Sequence, residues 1–378
     1  MKRTLINFFL MMLISVLPLA AKPLGAPAIT GLEKYVDGLA KTDRFSGVVL
    51  VAKGPKILFQ KAWGKADVDR ARDNTLETSF DIASMGKMYT GVAIAQLVED
   101  KKLDYKDRLV SILPYLPEDI FGKITIEQLL THTSGLGNMF AAPTFMAIKD
   151  TAKSIRSYVD LNIHEPLLFE PGTQVQYSNY AYILLGAVIE KLSGGSYYDY
   201  VTTHIFNATN MSHSAFDEGD RYEPNAAIGY ASPMAPPDAK TPPPPGRMNN
   251  KRMIGVKGTS AGGVFSSAPD LLKFSRALQK GKLISKKSFK NISQGKVSVP
   301  KPPTPPGMKP LPDLKFAYGF GESFINGERI IGHNGGAPGV DAQMDIYPDL
   351  GYTVIVLSNY DHAVMPVIDH IRNIICGK

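Results

Sequence analysis

The segment of residues 340–357 reads VDAQMDIYPDLGYTVIVL and predicts two consecutive β-strands, at 340–347 and 352–357. Before it, two further β-rich runs at 316–324 and 329–333 flank an Asn-Gly dipeptide, which is typical of hairpin turns. After it, apolar residues at helical spacing predict a closing helix. The C-terminal part of the chain is therefore predicted to form four strands and a helix.

The N-terminal part predicts a second set of strands. Residues 45–53 and 57–63 are rich in β-branched and aromatic residues, and a Gly-Pro-Lys turn at 54–56 joins them as a hairpin. Between residues 84 and 281 the pattern favours helices, including one that opens with a capping box at 125–128. The simplest packing pairs the two terminal strand sets in one antiparallel sheet.

These patterns predict an α+β fold: an antiparallel sheet built from N- and C-terminal strands with flanking helices, plus an inserted, mostly helical lobe. The sheet lobe is predicted at 22–80 and 315–378 and the helical lobe at 81–314, together forming one catalytic unit. The helical lobe carries two proline-rich loops, at 232–246 and 300–312. A cleft between the lobes is the expected place for a ligand.

Residues 1–21 predict a secretory signal peptide. Lys2 and Arg3 precede an apolar run that is short for a membrane span, and Ala20 and Ala21 supply small residues for cleavage. We therefore expect a secreted or periplasmic protein with no stable membrane span after cleavage.

The composition is that of an ordinary globular protein, with 44% hydrophobic and 20% charged residues. The single cysteine, Cys376, excludes an internal disulfide. The seven histidines lack metalloprotease spacing, and no phosphate-binding loop is present, so we expect no metal and no cofactor. The net charge of +7 comes from scattered basic residues, which argues against a nucleic-acid partner.

Three short motifs could carry chemistry. Ser84 and Lys87 have S-x-x-K spacing at the start of a predicted helix, where residues i and i+3 share a face. Tyr177 and Asn179 form the sole Y-x-N, and His333 opens the sole H-x-G. Each also has a plain structural interpretation: a helix cap with a surface lysine, a packed aromatic with a cap, and a glycine-rich turn.

Together and in this order, the three motifs resemble the serine β-lactamase and penicillin-binding-protein superfamily. The closer likeness is to its class C-related branch, which includes D-peptidases, D-aminopeptidases and family VIII esterases. Four other segments fit this resemblance: residues 129–136, 171–172, 260–263 and 318–321.

The resemblance implies an acyl-enzyme mechanism. Ser84 would be the nucleophile, Lys87 and Tyr177 would share the proton transfers, and Asn179 would hold the substrate and Lys87. The backbone N–H groups of Ser84 and Gly336 would form the oxyanion hole. Which of Lys87 and Tyr177 is the acylation base stays open at this point.

One departure from the family pattern affects the expected substrate. His333, Asn334 and Gly335 replace the family's K-T-G, and histidine is mostly neutral near pH 7. Without a fixed positive charge to hold a carboxylate, β-lactam hydrolysis is disfavoured. We therefore expect a small-molecule ester or a D-amino-acid amide or peptide as substrate, including peptidoglycan-derived peptides.

Two other functions compete with this one. Residues 258–262 also fit G-x-S-x-G, so an α/β-hydrolase using Ser260, with Asp341 or Asp345 and His362, is conceivable. A polar stretch precedes that serine where the motif requires an apolar strand. The second alternative is a β-lactamase or a non-catalytic recognition protein resembling penicillin-binding proteins.

Overall fold

A computed structural model describes residues 24–141, 143–216, 225–233, 246–301, 303 and 312–377. The predicted signal peptide at 1–21 and most of both proline-rich segments lie outside these described residues. Within the described parts, no helix has the length and apolar character that crossing a membrane requires.

The helices of the described residues are mostly short. The α-helices are α1 (Ala26–Lys41), α2 (Lys87–Glu99), α3 (Leu109–Ile112), α4 (Glu118–Phe121), α5 (Ile126–Leu130), α6 (Pro143–Ile148), α7 (Ile155–Val159), α8 (Asn179–Ser193), α9 (Tyr197–Val201), α10 (Ala268–Lys280), α11 (Lys286–Ser293) and α12 (Val364–Cys376). Two 3-10 helices, Ala83–Gly86 and Met139–Ala141, and a π-helical turn, Thr202–Asn207, accompany them.

The strands come from both ends of the chain and from short segments between the helices. They are β1 (Gly47–Lys53), β2 (Lys56–Trp63), β3 (Lys65–Asp67), β4 (Arg72–Asp73), β5 (Phe80–Asp81), β6 (Tyr230–Ala231), β7 (Met248–Asn249), β8 (Phe265–Ser266), β9 (Val297–Ser298), β10 (Leu314–Phe316), β11 (Gly321–Ile325), β12 (Glu328–Ala337), β13 (Val340–Tyr347) and β14 (Tyr352–Ser358).

Eight strands form one antiparallel sheet in the order β2-β1-β14-β13-β12-β11-β10-β9. Strand β1 pairs with β14 along its whole length, from Gly47 opposite Ser358 to Lys53 opposite Tyr352. The predicted α+β class, with one sheet built from both ends of the chain, is confirmed.

Helices cover both faces of the sheet. Because successive side chains of a strand point to opposite faces, Val49 and Val354 pack with α1 and α12, whereas Leu50 and Ile355 pack with the helical lobe. All four side chains are fully buried. Burial on both faces explains why these strands are continuous apolar runs.

The sheet extends slightly beyond its predicted limits. Strand β9 and the first residue of β10, Leu314, precede residue 315, where the sequence places the start of the C-terminal sheet segment. These strands are two and three residues long and carry partly exposed side chains, so no apolar pattern marks them.

Strand β12 brings the H-x-G motif next to the 3-10 helix Ala83–Gly86. Its pairing with β11 stops at Gly332, whereas its pairing with β13 continues to Ala337. After Gly332, the edge of β12 that faces away from β13 therefore approaches the 3-10 helix. A Cβ atom at Gly335 would lie 2.0 Å from the carbonyl oxygen of Ile82, so this approach requires glycine.

Candidate active site

Ser84 lies in the 3-10 helix that precedes α2, and its side chain is partly exposed to a cavity. The residue before it, Ala83, has a φ of 42°, which an L side chain rarely adopts. The N–H of Ala83 donates a hydrogen bond of 2.7 Å to the Asp81 carboxylate, which supports this turn. Backbone strain of this kind is common at functional sites.

Lys87 is fully buried beside Ser84, and no carboxylate is among its hydrogen-bond acceptors in the described residues. Its Nζ donates to the Ser84 Oγ at 3.2 Å, to the Asn179 Oδ1 at 2.7 Å and to the Ala261 carbonyl oxygen at 2.5 Å. Burial lowers the pKa of Lys87 well below its usual range. A buried lysine without a counter-charge is a good candidate for a general base.

Tyr177 packs against Lys87 in this cluster. The Lys87 Nζ lies 4.9 Å from the centre of the Tyr177 ring. Burial raises the pKa of Tyr177 above its usual value, and a hydrogen bond with the Ser84 side chain opposes this shift only partly. The phenol therefore stays protonated at neutral pH and is suited to donating a proton.

Asn179 is the first residue of α8, and Ser178 caps that helix by accepting the Ala181 N–H at 3.1 Å. The Asn179 Oδ1 accepts from Lys87, and its Nδ2 donates to the Asn138 Oδ1 at 3.0 Å. Asn179 is thereby fixed at both ends of its amide and orients the Lys87 amine.

His132 belongs to the same cluster, although the sequence assigns it no role. Its ring stacks on Tyr177 with the centres 4.3 Å apart, and its Nδ1 accepts the Ser178 N–H at 3.1 Å. Burial, and secondarily the Lys87 charge, lowers the pKa of His132 well below 6.5. The ring is therefore neutral and buttresses Tyr177.

His333 lies on β12 with its side chain partly exposed. Burial, and to a lesser extent Lys87, lowers the pKa of His333 to about 4. Its Nδ1 hydrogen-bonds the Asn334 carbonyl oxygen at 2.5 Å. The ring is neutral at pH 7 and supplies no positive charge for a substrate carboxylate.

A cavity of about 350 Å³ opens beside Ser84. Gly336 and Asn179 line it, whereas Gly335 is buried against the 3-10 helix. Much of the remaining wall is apolar and comes from Phe140, Phe145 and Met146 and from the segment 253–256. The structure thus gathers Ser84, Lys87, Tyr177 and Asn179 at one site, with the β12 glycines beside it.

The structure excludes the α/β-hydrolase alternative, because the large sheet is antiparallel rather than doubly wound. Ser260 is fully buried, and its Oγ has no hydrogen-bond partner in the structure described. The proposed acids are engaged elsewhere: Asp345 forms an ion pair with Arg372, and Asp341 accepts the Val364 N–H. No nucleophile elbow is present at Ser260.

The comparison with curated proteins gives close relatives among penicillin-binding proteins. The chain is 31% identical over 364 residues to Penicillin-binding protein 4* of Bacillus subtilis. The aligned region covers 90% of this chain and 75% of that protein. It spans 61% of the length of two further curated relatives.

Solved structures share the fold. The penicillin-binding protein from Bacillus halodurans has a TM-score of 0.75 at 27% identity, covering 89% of this chain and 99% of that one. The D-amino acid amidase from Ochrobactrum anthropi, in complex with D-phenylalanine, also has a TM-score of 0.75, at 22% identity and with 92% and 97% coverage.

The family described as Beta-lactamase has a model that matches residues 32–376. That range contains the whole sheet and every side chain of the cluster around Ser84. The resemblance drawn from the three motifs is therefore confirmed: the chain belongs to the Beta-lactamase family, within the serine β-lactamase and penicillin-binding-protein superfamily.

Proposed function

We propose that this protein is a serine hydrolase that cleaves esters or D-amino-acid amides and peptides through an acyl-Ser84 intermediate. Family membership supports the hydrolase activity. The observation that carries the mechanism is the buried amine of Lys87, 3.2 Å from the Ser84 hydroxyl and without a carboxylate partner among the described residues. That contact supplies a base at the place where a serine nucleophile needs one.

Acylation starts from the deprotonated Lys87 amine, whose Nζ then accepts the hydrogen bond of the Ser84 hydroxyl and takes its proton. The Oγ then bonds to the substrate carbonyl carbon, and the negative charge that develops on the oxygen faces the N–H groups of Ser84 and Gly336. The tetrahedral species collapses, the bond to the leaving group breaks, and Tyr177 donates the proton that an amine or alkoxide requires. Lys87 reprotonates the phenolate, so the protons balance.

Deacylation uses water as the second nucleophile. The water loses a proton to Lys87 as it bonds to the acyl carbon, and the Ser84 Oγ leaves with that proton. Because Lys87 ends each half-reaction neutral, the cycle restores the starting protonation states.

The neutral His333 argues against efficient β-lactam turnover. Recognition of a substrate carboxylate favours a fixed positive charge, and a ring whose pKa lies near 4 does not carry one at pH 7. The apolar cavity wall suits substrates with a hydrophobic acyl group. Esters and amino-acid amides meet both conditions.

A parallel assay tests the proposal. Purified protein is offered short p-nitrophenyl esters, D-phenylalanine amide, a D-Ala-D-Ala peptide and nitrocefin at equal concentrations. We expect ester or amide hydrolysis to exceed nitrocefin hydrolysis. Fast nitrocefin turnover with inert esters would contradict the substrate assignment. Failure of a fluorophosphonate to label Ser84 would favour the non-catalytic alternative.

Replacing Tyr177 by phenylalanine should lower kcat most for substrates whose leaving group requires a proton. The ring and its stacking on His132 are retained, but the proton donor is lost. We expect kcat for an amide to fall about 10²–10³-fold, with a smaller loss for a p-nitrophenyl ester, whose leaving group departs without a proton. Steady-state kinetics of both substrates measure this, with Tyr35→Phe on the surface of α1 as the control. Equal losses on both substrates would contradict the assigned role.

Replacing His333 by lysine should shift specificity towards carboxylate-bearing substrates. An ammonium at this partly exposed position offers the anchor that the neutral ring lacks. We expect the kcat/KM for nitrocefin or a D-Ala-D-Ala peptide to rise about 10-fold relative to that for a neutral ester. His333→Gln is the uncharged control. An unchanged ratio would show that another group selects the substrate.

We also propose that the protein acts after export, on small molecules, with residues 1–21 removed. The basic start and apolar run of that segment support this. Intact-mass measurement on protein recovered outside the cytoplasm should give a chain that begins near residue 22. A full-length chain retained in the cytoplasm would contradict export.

A further inference from the structure

One carboxyl group at the active-site cavity has no part in the mechanism above. Asp81 ends strand β5, three residues before Ser84, and its partly buried side chain lines the cavity. Its Oδ1 accepts the Ala83 N–H at 2.7 Å. Since a single residue of backbone separates that N–H from the Cα of Ser84, the carboxyl lies within about 8 Å of this Cα.

Asp81 has no positively charged partner in the structure described. Its one hydrogen bond comes from the Ala83 backbone, and its other oxygen accepts none. Burial raises the pKa of Asp81 to about 6, without any cation to oppose the shift. The carboxyl is therefore still largely ionised at pH 7, and an uncompensated charge at this depth is unfavourable.

The two lysines near the cavity do not neutralise this carboxylate. Lys87 donates to Ser84, Asn179 and Ala261, and the Asp81 carboxylate is not among its hydrogen-bond acceptors. Lys257 also lines the cavity, but its Nζ lies 4.1 Å from the centre of the Tyr198 ring. Within the part of the chain that the structure describes, no cation pairs with Asp81, which leaves this carboxylate available to a cation of the ligand.

The other residues that line the cavity indicate what kind of molecule carries such a cation. Phe140, Phe145 and Met253 line the same cavity and offer apolar surface. A molecule that places its carbonyl at Ser84 has room here for a hydrophobic side chain and, within reach of Asp81, a polar group. An amino acid derivative combines these features.

We propose that Asp81 binds a primary ammonium group on the acyl portion of the substrate, so that preferred substrates are esters or amides of amino acids with a free amino group. This inference rests on the proposed function and narrows its substrate class. A charge-assisted hydrogen bond between an ammonium and a carboxylate is among the stronger polar contacts in proteins. Simple carboxylic esters of the same shape lack it and bind less tightly.

Asp81 also has a structural role, which the test must separate from recognition. Its Oδ1 supports the unusual backbone of Ala83, and the side-chain oxygen of asparagine can accept the same N–H. Asp81→Asn therefore removes the charge and keeps the turn. Asp100→Asn, at the exposed position that follows α2, is the matched control.

Binding is measured by calorimetry at pH 7 in a Ser84→Ala background, so that turnover does not interfere. The ligands are D- and L-phenylalanine amide and 3-phenylpropanamide, which has the same skeleton without the amino group. We expect at least one amino amide to bind about 10-fold or more tightly than the des-amino amide. Asp81→Asn should reduce this ratio to near one, whereas Asp100→Asn should leave it unchanged.

Three results would overturn the inference: equal binding of all ligands by the parent, no detectable binding of any ligand, or equal weakening of all ligands in Asp81→Asn. The last result would show that Asp81 is purely structural. The proposed function is tested separately by hydrolysis with Ser84 intact. Amine-selective binding without hydrolysis would contradict the proposed function alone, and hydrolysis without amine selectivity would contradict this inference alone.

Discussion

Replacing Ser84 by alanine is expected to abolish hydrolysis of every substrate, with a loss in kcat of at least about 10⁴-fold. The reason is that the acyl-enzyme cannot form without the Oγ that Lys87 deprotonates. The measurement is kcat on a p-nitrophenyl ester, together with mass spectrometry of protein quenched during turnover. In the wild type, the added acyl mass should lie on the peptide that contains Ser84.

Ser260 provides a matched control from the same region. Its hydroxyl is fully buried and unpaired within the described structure, and it packs close to Gly186 in α8. Ser260→Ala should therefore leave kcat within about twofold and leave the thermal midpoint unchanged or slightly higher, since a buried unsatisfied hydroxyl is removed. Loss of activity in Ser260→Ala with activity retained in Ser84→Ala would reverse the assignment of the nucleophile.

Replacing Lys87 by arginine is expected to lower kcat/KM at least about 10³-fold, although both side chains are basic. A guanidinium stays protonated and cannot accept the Ser84 proton. Lys87→Met should cause a similar loss, because it also removes the base. Lys191→Met, on the exposed surface of α8, is the control and should behave as the wild type. Activity retained in the arginine variant would exclude Lys87 as the base.

The wild-type pH profile provides an independent test of Lys87. Protonation removes the lone pair of the amine, so kcat/KM should fall as the pH decreases through the pKa of Lys87. Because burial lowers that pKa well below 10.5, the profile should reach its plateau before pH 10.5. The raised pKa of Tyr177 keeps the phenol protonated across the plateau.

The acid limb could also reflect Asp81, whose pKa lies near 6. The profile of Asp81→Asn separates the two groups, since a limb due to Lys87 should persist in that variant. A limb that disappears in Asp81→Asn would mean that the carboxyl, and not the amine, controls the rate.

Much of the fold follows from local patterns in the sequence. The strand limits of β13 match the apolar run at 340–347, and the capping box at Thr125 and Gln128 forms both of its hydrogen bonds. These features depend on residues close together in sequence. Strand β9 was missed because its two residues are ordered by a neighbouring strand and not by any pattern of their own.

The sequence predicted the active site less completely than it predicted the fold. The three motifs identify Ser84, Lys87 and Tyr177, and the structure brings them together. The Ala261 carbonyl and the Asn138 amide were missed, because a backbone acceptor carries no residue-type signal and Asn138 lies on an irregular loop. The sequence also left open which group is the base, since the lowered pKa of Lys87 depends on burial by distant segments.

The pairing of β1 with β14 has a consequence for biosynthesis. The hydrogen bond from the Ser358 hydroxyl to the Ser46 carbonyl joins residues 312 positions apart. An isolated hairpin such as β1 and β2 is marginally stable in water, so the first strands made have no lasting partner until the last strand is synthesised. The central pairing of the sheet therefore cannot form until residues 352–358 have been synthesised. A truncation that removes β14 should yield an insoluble product rather than a smaller enzyme.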